Sequence, residues 1–168
     1  LMNYSGRSWP EAMQKTFVDY VRNGGGLVLI HASNNTFSNW PEFNDMIGLG
    51  YGGNRGALPG QTVPCTKIND ESGQPYECCT GQNSGHGGQH PFLVKVRAAD
   101  HPIMKGLPPQ WRHGRDELYH NLRGPGKNLT VLSSAFSDPK TRGTGHHEPM
   151  TWTVRYGKGR VVVTSMGH

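Results

Sequence analysis

Apolar and polar positions follow a helical spacing near the start of the chain, in the segment "PEAMQKTFVDYVRNGGG". The apolar positions that recur at this spacing are Met13, Phe17, Val18 and Val21. Proline suits the first turn of a helix and the run of glycines suits its end, so the pattern predicts a helix here. The apolar run "LVLI" follows directly and is typical of a parallel strand that is covered on both faces.

The segment "LMNY" before this helix has the pattern of the end of a strand, so the local order is strand, helix, strand. That order predicts an α/β sheet with right-handed crossovers. Farther along, the patterns predict a short helix in "NWPEFNDMIGLG", strands in "PFLVKVRAAD" and "NLTVLSSAF", and a short strand or an active loop in "DELYHNL". The segment "MTWTVRYGKGRVVVTSMGH" predicts a hairpin about a Gly-Lys-Gly turn.

The connection between about residues 50 and 90 is longer than structureless loops usually are, which indicates a functional loop or small hidden elements. It contains Cys65, Cys78 and Cys79 without the CxxC spacing of a metal site. A bridge from Cys65 to Cys78 or Cys79 would suit an oxidising compartment and leave one thiol over, and three reduced thiols are the alternative.

Length and charge restrict the class of protein. A chain of 168 residues is typical of one domain. The net charge is +5, but lysine and arginine are scattered singly, so we do not expect nucleic-acid binding. No apolar stretch approaches the roughly 20 residues of a membrane helix, so we do not expect membrane insertion.

Two groups of histidines are candidates for chemistry. His31 stands where the strand "LVLI" ends, and chemistry in open α/β sheets collects at such carboxyl ends. The alternative is a buried histidine that is hydrogen bonded to backbone. His86 and His90 lie in the glycine-rich stretch "SGHGGQHPF", where glycine lets the backbone approach a ligand closely. The alternative there is a mobile surface loop.

Asp116 and Glu117 are candidates for a general base and its orienting partner, or for ion pairs with Arg112 or Arg115. Trp40 could lie in the core or stack on a sugar ring. We interpret the remaining polar clusters as solvated: a turn at His146, His147 and Glu148, and surface positions for His113 and His120. A G-x-S-x-G elbow and a phosphate-binding loop are both absent, which disfavours a serine nucleophile and nucleotide binding.

Four motifs together resemble the ThuA-like family, named for trehalose utilisation: "YVRNGGGLVLIHAS", "HPFLVKVRAADHPIMKGLP", "DELYHNL" and "YGKGRVVVTSMGH". The resemblance implies one ThuA-like domain over residues 1–168, with an α/β fold of the flavodoxin-like type found in class I glutamine amidotransferases. This is a three-layer sandwich around a mostly parallel central sheet. It also implies a fragment truncated at both ends, without the family's first strand and C-terminal helix.

The same resemblance implies a site. The elbow that carries the amidotransferase cysteine is here Ile30, His31, Ala32 and Ser33, so glutaminase activity is not expected. The implied catalytic residues are His31, Asp116, Glu117 and His168. The implied substrate-binding residues are Asn34, Trp40, His86, His90 and Tyr119. The implied pocket would hold either a divalent metal such as zinc, on His31, His86 and His90, or the hydroxyls of a sugar with no cofactor.

The resemblance implies a small saccharide or oxidised sugar derivative as the substrate, processed by metal-assisted acid–base chemistry. A noncatalytic sugar-binding or accessory domain is the alternative from another class. The long insertion is similar to that of relatives in bacteria rich in secreted carbohydrate enzymes, which favours the periplasm or the exterior over the cytoplasm. Nothing in the sequence indicates an oligomeric state.

Overall fold

The computed structural model describes residues 7–52, 65–78 and 83–168. Within them the chain forms two α-helices, α1 (Glu11–Arg22) and α2 (Pro41–Ile47). Two short 3-10 turns cover His31–Asn35 and Pro139–Thr141. The strands are β1 (Gly26–Ile30), β2 (Cys65–Ile68), β3 (Pro75–Cys78), β4 (Gly85–His86), β5 (His90–Val96), β6 (Gln110–Asp116), β7 (Tyr119–His120), β8 (Leu129–Phe136), β9 (His147–Tyr156) and β10 (Gly159–Thr164).

Eight of these strands belong to one mixed sheet. Its hydrogen-bonded order is β1-β10-β9-β8-β5-β6, and β2 joins it by pairing with β9 and with β3. Strands β1 and β10 run parallel, with Ile30 opposite Thr164. The other described pairs in the sheet are antiparallel. Strands β4 and β7 form a separate antiparallel ribbon, with His86 opposite Tyr119.

This architecture shows that the expected flavodoxin-like three-layer sandwich with a mostly parallel sheet is wrong. A parallel pair needs a long crossover, usually a helix, whereas a short turn reverses the chain and gives an antiparallel pair. Strands β9 and β10 are joined by the tight turn at Gly157, whose φ is 60°, and only α1 and α2 are α-helical in the described residues. The parallel sheet predicted from the strand-helix-strand order at the start of the chain does not extend to the later strands, which pair antiparallel.

Both helices pack on the same face of the sheet. Their buried side chains share one core with β1, β9 and β10, in which Val21, Leu29, Phe43 and Trp152 are fully buried. The opposite face of β1 carries Val28, which is 57% exposed. One face of strand β1 is therefore buried and the other is largely exposed at Val28, so the burial of both faces predicted from "LVLI" was wrong.

Several local predictions are confirmed. Helices α1 and α2, strands β5 and β8 and the β9–β10 hairpin lie where the patterns predicted them. The predicted loop of residues 50–90 contains β2, β3 and β4, while the predicted strand in "LMNY" lies outside the described residues. Strand β6 was not predicted, because its sequence, "QWRHGRD", has no regular alternation of apolar residues. Such a polar sequence is typical of an exposed strand at the edge of a sheet, where β6 lies.

Candidate functional site

The parallel pair of β1 and β10 brings the first two site residues together. Ile30 and Thr164 are opposite each other at the ends of these strands, so the segments that follow leave the sheet at the same edge. His31 begins one of these segments and His168 lies in the other. The distance from His31 Nε2 to His168 Nδ1 is 3.2 Å. The carboxyl-end location predicted for His31 is confirmed.

His31 is buried and held by the backbone. Its Nδ1 lies 2.8 Å from the carbonyl oxygen of Ser165. A carbonyl can only accept, so Nδ1 carries the proton and, in the neutral ring, Nε2 keeps its lone pair. The φ angle of His31 is 47°, in the left-handed region that costs a residue with a Cβ about 1 kcal/mol. Strain of this kind collects at functional sites.

Glu117 adds a carboxylate to the two imidazoles. Its Oε2 lies 3.6 Å from His31 Nε2 and 3.6 Å from His168 Nδ1. One possible ligand atom from each of these three residues lies within 4.8 Å of the other two. We call His31, Glu117 and His168 the His-Glu-His cluster. Glu117 follows β6, which is separated from β10 by three strands in the sheet order, so the cluster joins distant parts of the fold.

Asp116 holds these segments in place. Its buried carboxylate accepts hydrogen bonds from the backbone N–H groups of Glu117 at 2.7 Å, Gly167 at 2.8 Å and His168 at 3.1 Å. His113 Nε2 lies 2.7 Å from the same carboxylate. Burial by itself would raise the pKa of Asp116, but the hydrogen bonds from Gly167, His113, Glu117 and His168 hold it below its ordinary value. Asp116 is therefore a positioning residue for both Glu117 and His168.

We expect Asp116→Asn to destabilise the protein by about 2 kcal/mol, because an amide NH₂ would face N–H donors that then lose their acceptor. His168 and Glu117 should lose their fixed positions together. Chemical denaturation measures the free energy of unfolding, and NMR measures the order of both residues. A variant with unchanged stability and unchanged backbone resonances at residues 117, 167 and 168 would contradict this role.

Aromatic and imidazole groups surround the cluster. The Tyr119 hydroxyl lies 3.1 Å from His31 Nε2. The centroid of the Tyr119 ring lies 4.7 Å from the centroid of the Tyr51 ring. Burial raises the pKa of Tyr119 to about 12, so the hydroxyl stays protonated near neutral pH. His86 Nε2 lies 3.7 Å from Glu117 Oε1, and the His86 side chain is 37% exposed. His86 thus lies beside Glu117 at the cluster, and the substrate-binding and metal-binding roles assigned to it stay predictions.

The other predicted site residues have different surroundings. His90 lies opposite Asp116 in the β5–β6 pair, and its Nδ1 donates to the Gly88 carbonyl at 2.7 Å. Asn34 is fully buried in the 3-10 turn after β1, and its amide has no hydrogen-bond partner among the described residues. Trp40 packs in the core and stacks on Phe43 at a centroid distance of 5.5 Å. The roles assigned to these three residues stay predictions.

A second polar cluster was missed by the sequence analysis. Lys67 and Glu148 are both fully buried and form an ion pair, and Lys67 Nζ also donates to Asn121 Oδ1 at 2.6 Å. Thr144 Oγ1 donates to Glu148 Oε1 at 2.6 Å. Burial raises the pKa of Glu148, while the Lys67 ammonium, Thr144 and Asn121 act in the opposite direction. The predicted solvated turn at residues 146–148 was wrong for His147 and Glu148, which are buried at the start of β9. A buried ammonium compensates the charge of Glu148.

The cysteine prediction is only partly covered by the described residues. Cys65 and Cys78 lie directly opposite each other in the β2–β3 pair, while Cys79 lies outside the described residues. The bridge from Cys65 stays a prediction. Within the described part of the chain, neither helix is long and apolar enough to cross a membrane.

Comparison with known proteins identifies relatives of the whole chain. A family model named ThuA, with the description trehalose utilisation, matches residues 1–168. A ThuA-like protein from Parabacteroides merdae is similar in structure, with 42% sequence identity and a TM-score of 0.87. The aligned region is 99% of this chain and 58% of that protein. A search of curated proteins finds no match.

A second solved structure, a ThuA-like protein from Bacteroides uniformis, has 24% identity and a TM-score of 0.59. The alignment covers 95% of this chain and 56% of that protein, and at this identity it shows similarity of fold alone. This chain spans less than two thirds of the length of either protein.

Proposed function

Because the chain belongs to the ThuA family, whose description is trehalose utilisation, we propose that its His-Glu-His cluster is the centre of a saccharide-processing enzyme. One observation carries this proposal: two imidazoles and a carboxylate from three separate parts of the sequence lie within 4.8 Å of one another. Neutral imidazoles and carboxylates are the groups that most often bind divalent metals and move protons in enzymes. The family description supplies the substrate class, and the cluster supplies the chemistry.

The position of the proton on His31 favours both metal binding and proton transfer by the cluster. The Ser165 carbonyl fixes the proton of His31 on Nδ1 and leaves the Nε2 lone pair pointing towards Glu117 and Tyr119. Histidines that ligate metals usually donate their other ring N–H to such an acceptor. The donor set fits a divalent cation such as zinc, with His31, Glu117 and His168 as the ligands. When bound, such a cation would polarise a carbonyl or hydroxyl oxygen of the sugar.

The chain's own groups can handle protons and orient a sugar. In the proposed site the Glu117 carboxylate accepts a proton from a substrate hydroxyl or from a carbon next to a carbonyl. The Tyr119 O–H, which stays protonated, donates to His31 Nε2 or to a substrate oxygen. The partly exposed Tyr51 ring, which packs on Tyr119, offers an apolar surface for a sugar ring, and His86 offers a polar group beside Glu117. This combination differs from an aromatic platform over a polar floor, which would favour binding without turnover.

The test is zinc titration by calorimetry together with a screen of trehalose, other disaccharides and their oxidised forms, with products detected by mass spectrometry. We expect one zinc ion per chain and turnover of at least one saccharide that chelation abolishes. His31→Asn should weaken zinc binding by about 100-fold and abolish turnover. Asparagine tolerates the left-handed backbone at this position, so the variant should remain folded.

His101→Asn is the matched control, because His101 lies outside the cluster and contacts the backbone N–H of Ile103. Zinc binding and turnover that survive His31→Asn would overturn the proposed role of the cluster. Saccharide binding without turnover by the zinc-loaded chain would support the noncatalytic alternative.

A further inference from the structure

A cavity of about 510 Å³ lies beside the second polar cluster, apart from the His-Glu-His cluster. Its described lining residues are Lys67, Cys78, His120, Asn121, Arg142, Gly143, Thr144 and His146. Consecutive side chains of a strand point to opposite sides. In β7 the Tyr119 hydroxyl contacts His31, and the next residue, His120, lines the cavity. The short β4–β7 ribbon therefore separates the cavity from the proposed saccharide site.

The charges on the cavity wall are unbalanced. Lys67 is compensated by its buried partner Glu148. Arg142 is exposed, and its guanidinium forms no ion pair with any residue in the described part of the chain. The described lining contains no carboxylate of its own. The wall thus presents a net positive charge, and the Arg142 guanidinium supplies its hydrogen-bond donors to whatever occupies the cavity.

The segment that carries Arg142 has a fixed shape. The φ angle of Arg142 is 68°, a left-handed conformation that is costly for a residue with a Cβ. Its neighbour Gly143 donates its N–H to the Asp138 carbonyl at 2.9 Å, and Thr144 donates its N–H to Ser137 Oγ at 3.1 Å. A Cβ at Gly143 would overlap the backbone of Ser137, so the close approach requires glycine. The backbone at Arg142 is therefore fixed beside the cavity, and its exposed side chain extends from this fixed point.

His120 lines the cavity with an uncharged imidazole ring. Its Nδ1 is buried and has no hydrogen-bond partner among the described residues. The ring fits because residue 85 is glycine: a Cβ there would lie 2.8 Å from His120 Nε2. Burial, followed by the charges of Lys67 and His86, lowers the pKa of His120 to about 4, so the ring is neutral near pH 7. The ring therefore adds neither a charge nor an accessible Nδ1 to the wall.

From this arrangement we infer that the cavity binds the anionic group, a carboxylate or a phosphate, of a small molecule, with Arg142 as the charged contact. A guanidinium matches the geometry of both anions through paired N–H donors. The cavity has the volume of ordinary small-molecule sites, which suits an acidic or phosphorylated monosaccharide. Binding of an anion here does not depend on the His-Glu-His cluster, none of whose residues lines the cavity, and only the choice of a sugar as its carrier rests on the proposed function.

The test measures binding of four probes by calorimetry at low salt: inorganic phosphate, glucose 6-phosphate, glucuronate and neutral glucose. We expect at least one anion to bind and glucose not to bind at this site. Arg142→Gln should weaken that binding by about tenfold or more, and Arg142→Lys should restore part of it. Arg155→Gln removes an exposed arginine on β9 and serves as the control for a general change of charge.

The outcomes separate the possible ligands. Binding of phosphate as tight as that of glucose 6-phosphate would assign the site to the free anion, and tighter glucose 6-phosphate or glucuronate would assign it to a sugar acid or sugar phosphate. Failure of all three anions to bind at millimolar concentration would overturn the inference. Equal loss in Arg142→Gln and Arg155→Gln would overturn it as well. A thermal melt of each variant establishes that it is folded.

Discussion

Glu117→Gln is expected to abolish saccharide turnover and to weaken zinc binding by about 100-fold or more. The substitution keeps the size of the side chain and removes the one negative charge of the His-Glu-His cluster. An amide oxygen is a weak ligand for zinc and a poor proton acceptor, so both proposed uses of Glu117 are lost together. The backbone of Glu117 is held by Asp116 at 2.7 Å, so the fold should be unaffected.

Calorimetric titration with zinc and the saccharide assay measure this effect. Glu77→Gln is the matched control, since Glu77 is exposed on β3 and outside the cluster. Zinc affinity and turnover within about twofold of the unmodified chain would show that Glu117 has neither role. Loss of turnover with zinc binding intact would leave Glu117 as the proton acceptor and remove it from the ligand set.

Lys67→Met is expected to destabilise the protein by about 3 to 5 kcal/mol, the largest effect on stability that we predict. The methionine fills a similar volume but leaves the carboxylate of Glu148 buried without its cation. Asn121 also loses the donor to its side-chain oxygen, which lies 2.6 Å from Lys67 Nζ. Surface ion pairs contribute far less, because water already solvates both charges.

A double-mutant cycle with Glu148→Gln measures the coupling in this pair by chemical denaturation. The double variant should be less destabilised than the sum of the two single variants, because it removes both buried charges. Lys15→Met tests a solvated pair, since the Lys15 side chain is 77% exposed and contacts Asp19 at 2.7 Å. We expect it to change stability by less than about 1 kcal/mol. A similarly small effect of Lys67→Met would mean that the buried pair contributes little.

Local structure followed from the sequence where one physical signal dominated. The 3.6-residue spacing of Met13, Phe17, Val18 and Val21 gave α1, and the Gly-Lys-Gly turn gave the β9–β10 hairpin. The arrangement of the sheet did not follow. Strand direction depends on which segments pair over long distances, and apolar runs such as "LVLI" carry no information on that pairing. Resemblance to a family identified relatives correctly and still led to the wrong description of the sheet.

The candidate site was also predicted only in part, because local patterns indicate single residues but not which distant residues they meet. His31 was identifiable because strand ends are common places for chemistry, and the structure brings it to Glu117 and His168. A role for Asp116 beside Glu117 was among the expectations, but its hydrogen bonds from Gly167 and His168 were not, since those residues lie 51 and 52 positions away. The burial of Glu148 could not be predicted either. A buried carboxylate needs a partner cation, and the sequence does not indicate that Lys67, 81 positions away, is that partner.

The glycine-rich stretch that includes His86 ends against another loop, since Gly88 N–H donates to the Thr141 carbonyl at 3.0 Å. A Cβ at Gly87 would overlap that same carbonyl oxygen, whereas a Cβ at Gly88 would meet open space. The two adjacent glycines therefore differ as targets for protein engineering. A reporter side chain or a cross-linking handle can be introduced at position 88, while position 87 has no room for one beside the Thr141 backbone.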